Sequence, residues 1–202
     1  MQLGALTFFL GCYASFIEAV NVDVSEEWEE WHAAGRKGPP PSVSYAPWPT
    51  NLQSQQLGFY GLFIQYIGSI IFLVGCLTEV INSAHPVGEL ATTWLLDFQY
   101  LVGGTCFAVG AFLLAAEGSH SWWRGLLPPL RGEEIRSVNY WLEFLNWFGS
   151  VLFMLGGAAG WFLQDLTPRE NMAVAASTWM AGSLVFVAQG VLLYLEMVNP
   201  AW

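Results

Sequence analysis

Of the chain's 202 residues, 54% are apolar and only 11% charged, with 11 Trp and 14 Phe; this is far from the composition of a soluble domain and calls for lipid as the solvent. Six basic against sixteen acidic residues leave a formal net charge of −10, which excludes nucleic acid as a partner, because its phosphates demand Lys and Arg. It also disfavours docking flat on anionic lipid.

Five apolar segments follow along the chain, near residues 1–20, 58–81, 93–116, 140–163 and 172–197. Each reaches the roughly 20 residues that a helix needs to cross a bilayer core. The first starts at the initiating Met with no basic region and no small-residue cleavage site after it, so it reads poorly as a secretory signal; a mature or incomplete N-terminus remains open. Residues 21–57 form an acidic loop rich in Trp and Pro. In it Ser25 suits an N-cap, Glu26 and Glu27 the positive helix start, and Gly35 the helix end, which puts Trp28 and Trp31 on one face. The prolines at 39–41, 47 and 49 impose extended backbone beyond that helix.

Residues 58–116 read as one antiparallel hairpin with a tight link at His85 and Pro86, and 140–202 as a second hairpin plus the C-terminus. Between them, 117–139 holds Trp122, Trp123 and an apolar stretch from Leu126 to Leu130, the composition of an interfacial elbow. Arg36, Lys37, Arg124, Arg131 and Arg136 fall on one side of the membrane and only Arg169 on the other. The excess of positive charge then places both long loops and the C-terminus on the cytoplasmic, stromal or matrix side, with the N-terminus outward.

The most informative feature is internal. Each apolar segment carries one copy of Gly-x-x-x-Phe-x-x-Gly or a close variant: Gly4, Phe8, Gly11; Gly68, Phe72, Gly75; Gly103, Phe107, Gly110; Gly149, Phe153, Gly156; and Gly182, Phe186, Gln189. At about 100° per residue, positions 0, 4 and 7 lie within roughly 60° of one another, so the three share one helix face. Helices in lipid associate through close packing, and small residues let two backbones approach. Gly156 and Gly160 add a Gly-x-x-x-Gly that makes the fourth span the expected site of the most crowded contact.

The copies divide into two classes. The second and fourth have an amide and an aromatic three and two residues before the first glycine, Gln65 with Tyr66 and Asn146 with Trp147. The third and fifth shift this by one, Gln99 with Tyr100 and Thr178 with Trp179, and end in Glu117 or Glu196 fourteen residues after the glycine. The first span, with Glu18 at the same offset from Gly4, belongs to the second class. A duplicated hairpin accounts for four spans and leaves the first as half of a third unit, its partner helix lost, truncated or supplied by another subunit.

The runs from Trp147 to Gly156 and from Thr178 to Phe186 resemble the two helices of the YrhK-like membrane domain, with Gly149-Ser150 and Gly182-Ser183 at corresponding places. The earlier pair is similar at Gly68-Ser69 and departs at Gly103-Gly104. The resemblance implies a membrane hairpin at 58–116 and 140–197 and no established activity, so it carries over no catalytic residue.

Glu18, Glu117 and Glu196 sit at helix C-termini on one membrane side, where the dipole disfavours an anion by about 0.3–1 kcal/mol. They lie at headgroup depth, solvated or paired with Arg124, Arg131 or Arg136, or they face inward as ligands of a cation or a chlorophyll magnesium, or they move protons. His32, His85 and His120 fall in loops or at helix ends, so no haem is expected; His85 and His120 are either interfacial imidazoles or pigment ligands. Asp97 and Glu143, each six residues before a repeat glycine, read as helix-start anions. Cys12, Cys76 and Cys106 lie in apolar runs without Cys-x-x-Cys spacing, as core thiols do, and no metal site follows from them.

No nucleophile, zinc or phosphate-loop motif is present, so no catalytic residue is expected. The expected molecule is an all-α integral membrane protein of five helices that packs against lipid and other membrane-protein subunits. Its expected role is as an accessory subunit of a photosynthetic or respiratory complex, in a thylakoid or mitochondrial inner membrane of a eukaryote. The competing expectations are a small transporter or channel, with Gln65, Gln99 and Asn146 along the path, and a binder of chlorophyll, carotenoid or lipid.

Overall fold

The structure is a computed structural model that describes residues 2–46, 56–130, 132, 137–163 and 167–199. The expected extended segment at Pro47 to Pro49, together with Arg131, Arg136 and Gln164, lies outside the described residues. All regular structure among the described residues is helical: α1 (Gln2–Val20), α2 (Val24–Ala33), α3 (Leu57–Ala84), α4 (Glu89–Thr92), α5 (Phe98–Gly118), α6 (Val138–Phe162) and α7 (Pro168–Val198). A π turn, Thr93–Asp97, fuses α4 to α5, so five helices are long and apolar enough to cross a membrane. Helices meet the demand that lipid makes of a backbone, which is to satisfy every N–H and C=O internally.

Helix boundaries follow local chemistry. Thr167 accepts from the Glu170 N–H while Glu170 reaches back to the Thr167 N–H at 3.1 Å, a reciprocal capping box, and Pro168 follows the cap. At α6 the Ser137 hydroxyl accepts the Tyr140 N–H at 3.3 Å. Helix α2 starts one residue before the expected cap: Asp23 holds the N-cap position and Ser25 lies inside the helix. Its end is as expected, because Gly35 turns at φ +76° and the N–H groups of Gly35 and Arg36 close back on the carbonyls of His32 and Trp31. Trp28 and Trp31 share a face, with ring centroids 5.3 Å apart. The loop beyond α2 returns to α1, where the Asn21 side chain bonds the Ser44 backbone through both its amide atoms and the Tyr13 hydroxyl donates to the Tyr45 carbonyl at 2.8 Å.

The third span differs from expectation at its start. The extended backbone of Gly88 ends the link, so the helix begins at Glu89, which takes the place of the first-turn anion. Asp97 therefore lies well inside the span, within the π turn. Glu143 is likewise beyond the first turn of α6, which holds no acidic residue.

The spanning helices pack in the order α1, α3, α5, α6, α7, each against the next. Both hairpins form, α3 against α5 and α6 against α7, and α5 joins them through α6. The end helices α1 and α7 share no extensive backbone contact among the described residues, so the bundle is an arc with a cleft between its two ends. Outside the spans, Trp122, Trp123, Leu127 and Leu130 of the 117–139 connection are all exposed.

Candidate functional site

The five phenylalanines of the repeat converge. Phe8 lies 4.9 Å from Phe107, 5.3 Å from Phe186 and 6.0 Å from Phe153, ring centroid to ring centroid. Phe72 lies 5.7 Å from Phe153 and 5.9 Å from Phe107, and Phe153 lies 5.6 Å from Phe186. One residue from each spanning helix thus builds a single aromatic cluster in the concave centre of the arc, with the offset and edge-on geometries that aromatic rings prefer.

The glycines explain how the helices come close enough for this. A Cβ on Gly68 would stand 2.6 Å from Cys106 Cβ, and one on Gly103 would stand 3.0 Å from Phe72 Cβ and 3.1 Å from the Gly68 carbonyl oxygen. The second hairpin repeats the arrangement: a Cβ on Gly182 would stand 2.7 Å from the Phe153 ring and 3.2 Å from the Gly149 carbonyl oxygen, while Gly149 faces the Phe186 ring at 3.1 Å. In each hairpin the phenylalanine of one helix therefore fills the notch left by the glycine of the other. Gly75 and Gly110 are similarly occupied, by the Tyr100 ring at 2.9 Å and by Gln65 Cγ at 2.5 Å.

One expectation needs correction. Gly156 is crowded, by the Trp179 indole, but Gly160 is not: its nearest neighbour across the interface is Asp97 Oδ1 at 3.4 Å, an ordinary contact. The second tight approach of the fourth span belongs to Gly157, which presses on the Tyr100 backbone of α5. The difference is angular: Gly157 lies about 100° round the helix from Gly156, so Gly156 meets α7 while Gly157 meets α5. Gly4 and Gly11, expected to be packing residues, have no helix of this chain against them among the described residues: a Cβ on either would meet nothing within 4 Å. They face the cleft.

That cleft encloses about 1260 Å³ between α1 and α7 and reaches the centre of the bundle. Gly4 and Gly11 line it from one side, Ser183 and Gly190 from the other, and the phenylalanine cluster closes its depth. Polar groups gather at one end. Gln65, almost fully buried, donates from Nε2 to Asn146 Oδ1 at 3.3 Å, and Glu117 and Glu143 line the cleft nearby. Gly118 makes room for the Glu143 carboxylate, which a Cβ there would strike, and Gly58 does the same for Glu117.

The three glutamates of the repeat are not brought together. Glu117 lines the cleft, whereas Glu18 is exposed and neither it nor the half-buried Glu196 lines the cleft. His85 and His120 are both exposed; His120, at φ +50°, ends α5 with its N–H on the Glu117 carbonyl at 3.0 Å. Among the described residues no three His, Cys, Asp or Glu side chains are grouped as a metal site would require. Sequence reasoning missed that Glu117 and Glu143 line the same cleft, for which the glycines at 58 and 118 were the available signal. It also missed the Tyr100 hydroxyl donating to Glu79 Oε2 at 2.9 Å.

Length and composition of the five spans, with the glycine-mediated packing, define a polytopic helical membrane protein. No family model, curated protein or solved structure matches the chain.

Proposed function

We propose that the chain is a structural, accessory subunit of a larger membrane assembly and performs no reaction of its own. One observation carries this: the glycine faces of α1 and the small-residue face of α7 line a 1260 Å³ cleft that no described helix of the chain fills. Elsewhere in the same bundle such faces are tightly covered, and a surface of this kind in lipid is a surface built for another helix. The resemblance of α6 and α7 to the YrhK-like hairpin accords with a packing role. The photosynthetic or respiratory setting, the organelle membrane and an outward N-terminus belong to the same proposal, and rest on the basic residues of the loops and the absence of reaction motifs.

Purification of the native protein in mild detergent, followed by native electrophoresis, tests the reading. Migration with other membrane subunits is the expected result, and a stoichiometric monomer without partners refutes it. A second reading, a site for an apolar pigment or lipid, is favoured by the same cleft because its walls are apolar and its end carries Gln65, Asn146, Glu117 and Glu143. An absorbing or lipid molecule that copurifies and is lost on Glu117→Ala distinguishes it. A transport path along the bundle axis is disfavoured by the phenylalanine cluster that occupies the centre.

A further inference from the structure

The contacts around α5 provide a template for what the cleft lacks. On one side α5 receives α3: Gly103 takes Phe72 and Gly110 takes Gln65. On its other side α5 receives α6: a Cβ on Gly104 would stand 2.8 Å from Met154 Cα, and Phe112 lies 6.2 Å from Trp147. Helices α1 and α7 carry α5's pattern, and each has just one of these two partners. α7 has the first kind, since Gly182 takes Phe153. α1 has the second, since Tyr13, nine residues after Gly4 as Phe112 is nine after Gly103, lies 5.7 Å from Tyr66, the counterpart of Trp147. What α1 lacks is a helix against Gly4 and Gly11, and what α7 lacks is a helix against Ser183, the counterpart of Gly104. Both vacancies open into the same cleft.

We infer that the cleft between α1 and α7 is the docking site of one transmembrane helix from another polypeptide, of the α3 and α6 type, which completes a ring of six. The inference rests on the accessory-subunit reading and gives that partner a chemistry. Where α3 and α6 agree, they read amide, aromatic, any residue, Gly, Ser, any two, Phe, a long apolar side chain, any residue, Gly. In the cleft the partner's phenylalanine fills the notch of Gly4 and joins Phe8 and Phe186, its amide packs on Gly11 near the Gln65 and Asn146 pair, and its long apolar residue covers Ser183. The occupant continues interfaces the chain already makes. A second copy does not fit, because its own α3 and α6 are engaged and its free faces are of the α1 and α7 type.

The test uses the chain's own α6 as the probe. The full-length protein carrying Cys12→Ala, Cys76→Ala and Ser183→Cys, in proteoliposomes, is mixed with a synthetic α6 peptide, Val138–Phe162, carrying Met154→Cys. Copper phenanthroline then oxidises the paired thiols, two electrons passing to the oxidant and two protons to water. The expected product is a one-to-one disulfide adduct. It should be at least about tenfold reduced when the peptide cysteine is moved to Leu155, on the outer side of α6, or when the full chain also carries Gly4→Leu and Gly11→Leu. Cys12 and Cys76 are removed because both line the cleft. Equal capture of an α5 peptide, an adduct indifferent to register or to the two leucines, or a cleft that retains lipid and captures no peptide overturns the inference. None of those results depends on whether the native protein migrates with partners, so the two proposals fail separately.

Discussion

Glycine at 68 and 103 is held by contact: a Cβ at Gly103 would stand 3.0 Å from Phe72 Cβ and 3.1 Å from the Gly68 carbonyl oxygen and the Phe72 backbone nitrogen. Gly103→Leu is therefore expected to lower the stability of the chain by about 1–3 kcal/mol or more through overpacking. Gly4→Leu, with open space around it, should stay within about 0.5 kcal/mol in the isolated protein. Unfolding in mixed micelles compares them. A serine pair makes a second contrast. The Ser69 hydroxyl donates to the Tyr66 carbonyl at 2.6 Å, while its counterpart Ser150 is fully buried with no hydrogen-bond partner among the described residues. Ser150→Ala should accordingly be neutral or stabilising by about 1 kcal/mol, whereas Ser69→Ala forfeits a bond. For the amides, a double-mutant cycle of Gln65→Leu and Asn146→Leu should return a coupling near 0.6 kcal/mol and below about 1.7 kcal/mol; a coupling of zero would show the 3.3 Å bond to be energetically idle. The shared face of positions 0, 4 and 7 was legible in the sequence because helix geometry fixes angles. Which neighbour each glycine meets was not, since periodicity carries no information about the order of helices around a bundle. That is why the Gly-x-x-x-Gly spacing points to Gly160 and gives no sign of the contact at Gly157.

Among elements, α7 has the most explicit start. The Thr167 hydroxyl and backbone N–H hold the Glu170 carboxyl below its usual range, so this contribution to the folded helix is present above the ordinary glutamate range and is lost as pH falls through the lowered value. Amide exchange in the first turn of α7 should accelerate on acidification, and Glu170→Gln should remove that pH dependence. Thr167→Ala should cost about 0.5–2 kcal/mol of helix stability. The five spans and the Gly35 stop of α2 were readable from composition and turn chemistry. The π turn at Thr93–Asp97 was not, because nothing in the local pattern of a helical stretch announces one extra residue per turn. The placement of Asp97 inside the span follows from the early helix start at Glu89.

For the whole molecule, the arc order α1, α3, α5, α6, α7 puts helices of alternating type side by side. The two-class division seen in the sequence therefore corresponds to alternate positions around the bundle. The orientation proposed from the loop charges is checked by cysteines introduced at Lys37 and Arg169: a membrane-impermeant thiol reagent added outside sealed vesicles or organelles should reach the Arg169 site alone, and labelling of the Lys37 site from the same side reverses the proposal. The cleft itself could not be read from the sequence, which showed an unmatched first helix but not that the unmatched face of the last helix borders the same space.

Because the cleft is walled by the first and last spans, it opens sideways into the bilayer, and a sixth helix need not be threaded through the folded chain. A partner helix of the kind proposed would enter by lateral diffusion within the membrane plane, after its own insertion. Synthesis of the two polypeptides can then be uncoupled, with the seam between α1 and α7 as the last joint to close.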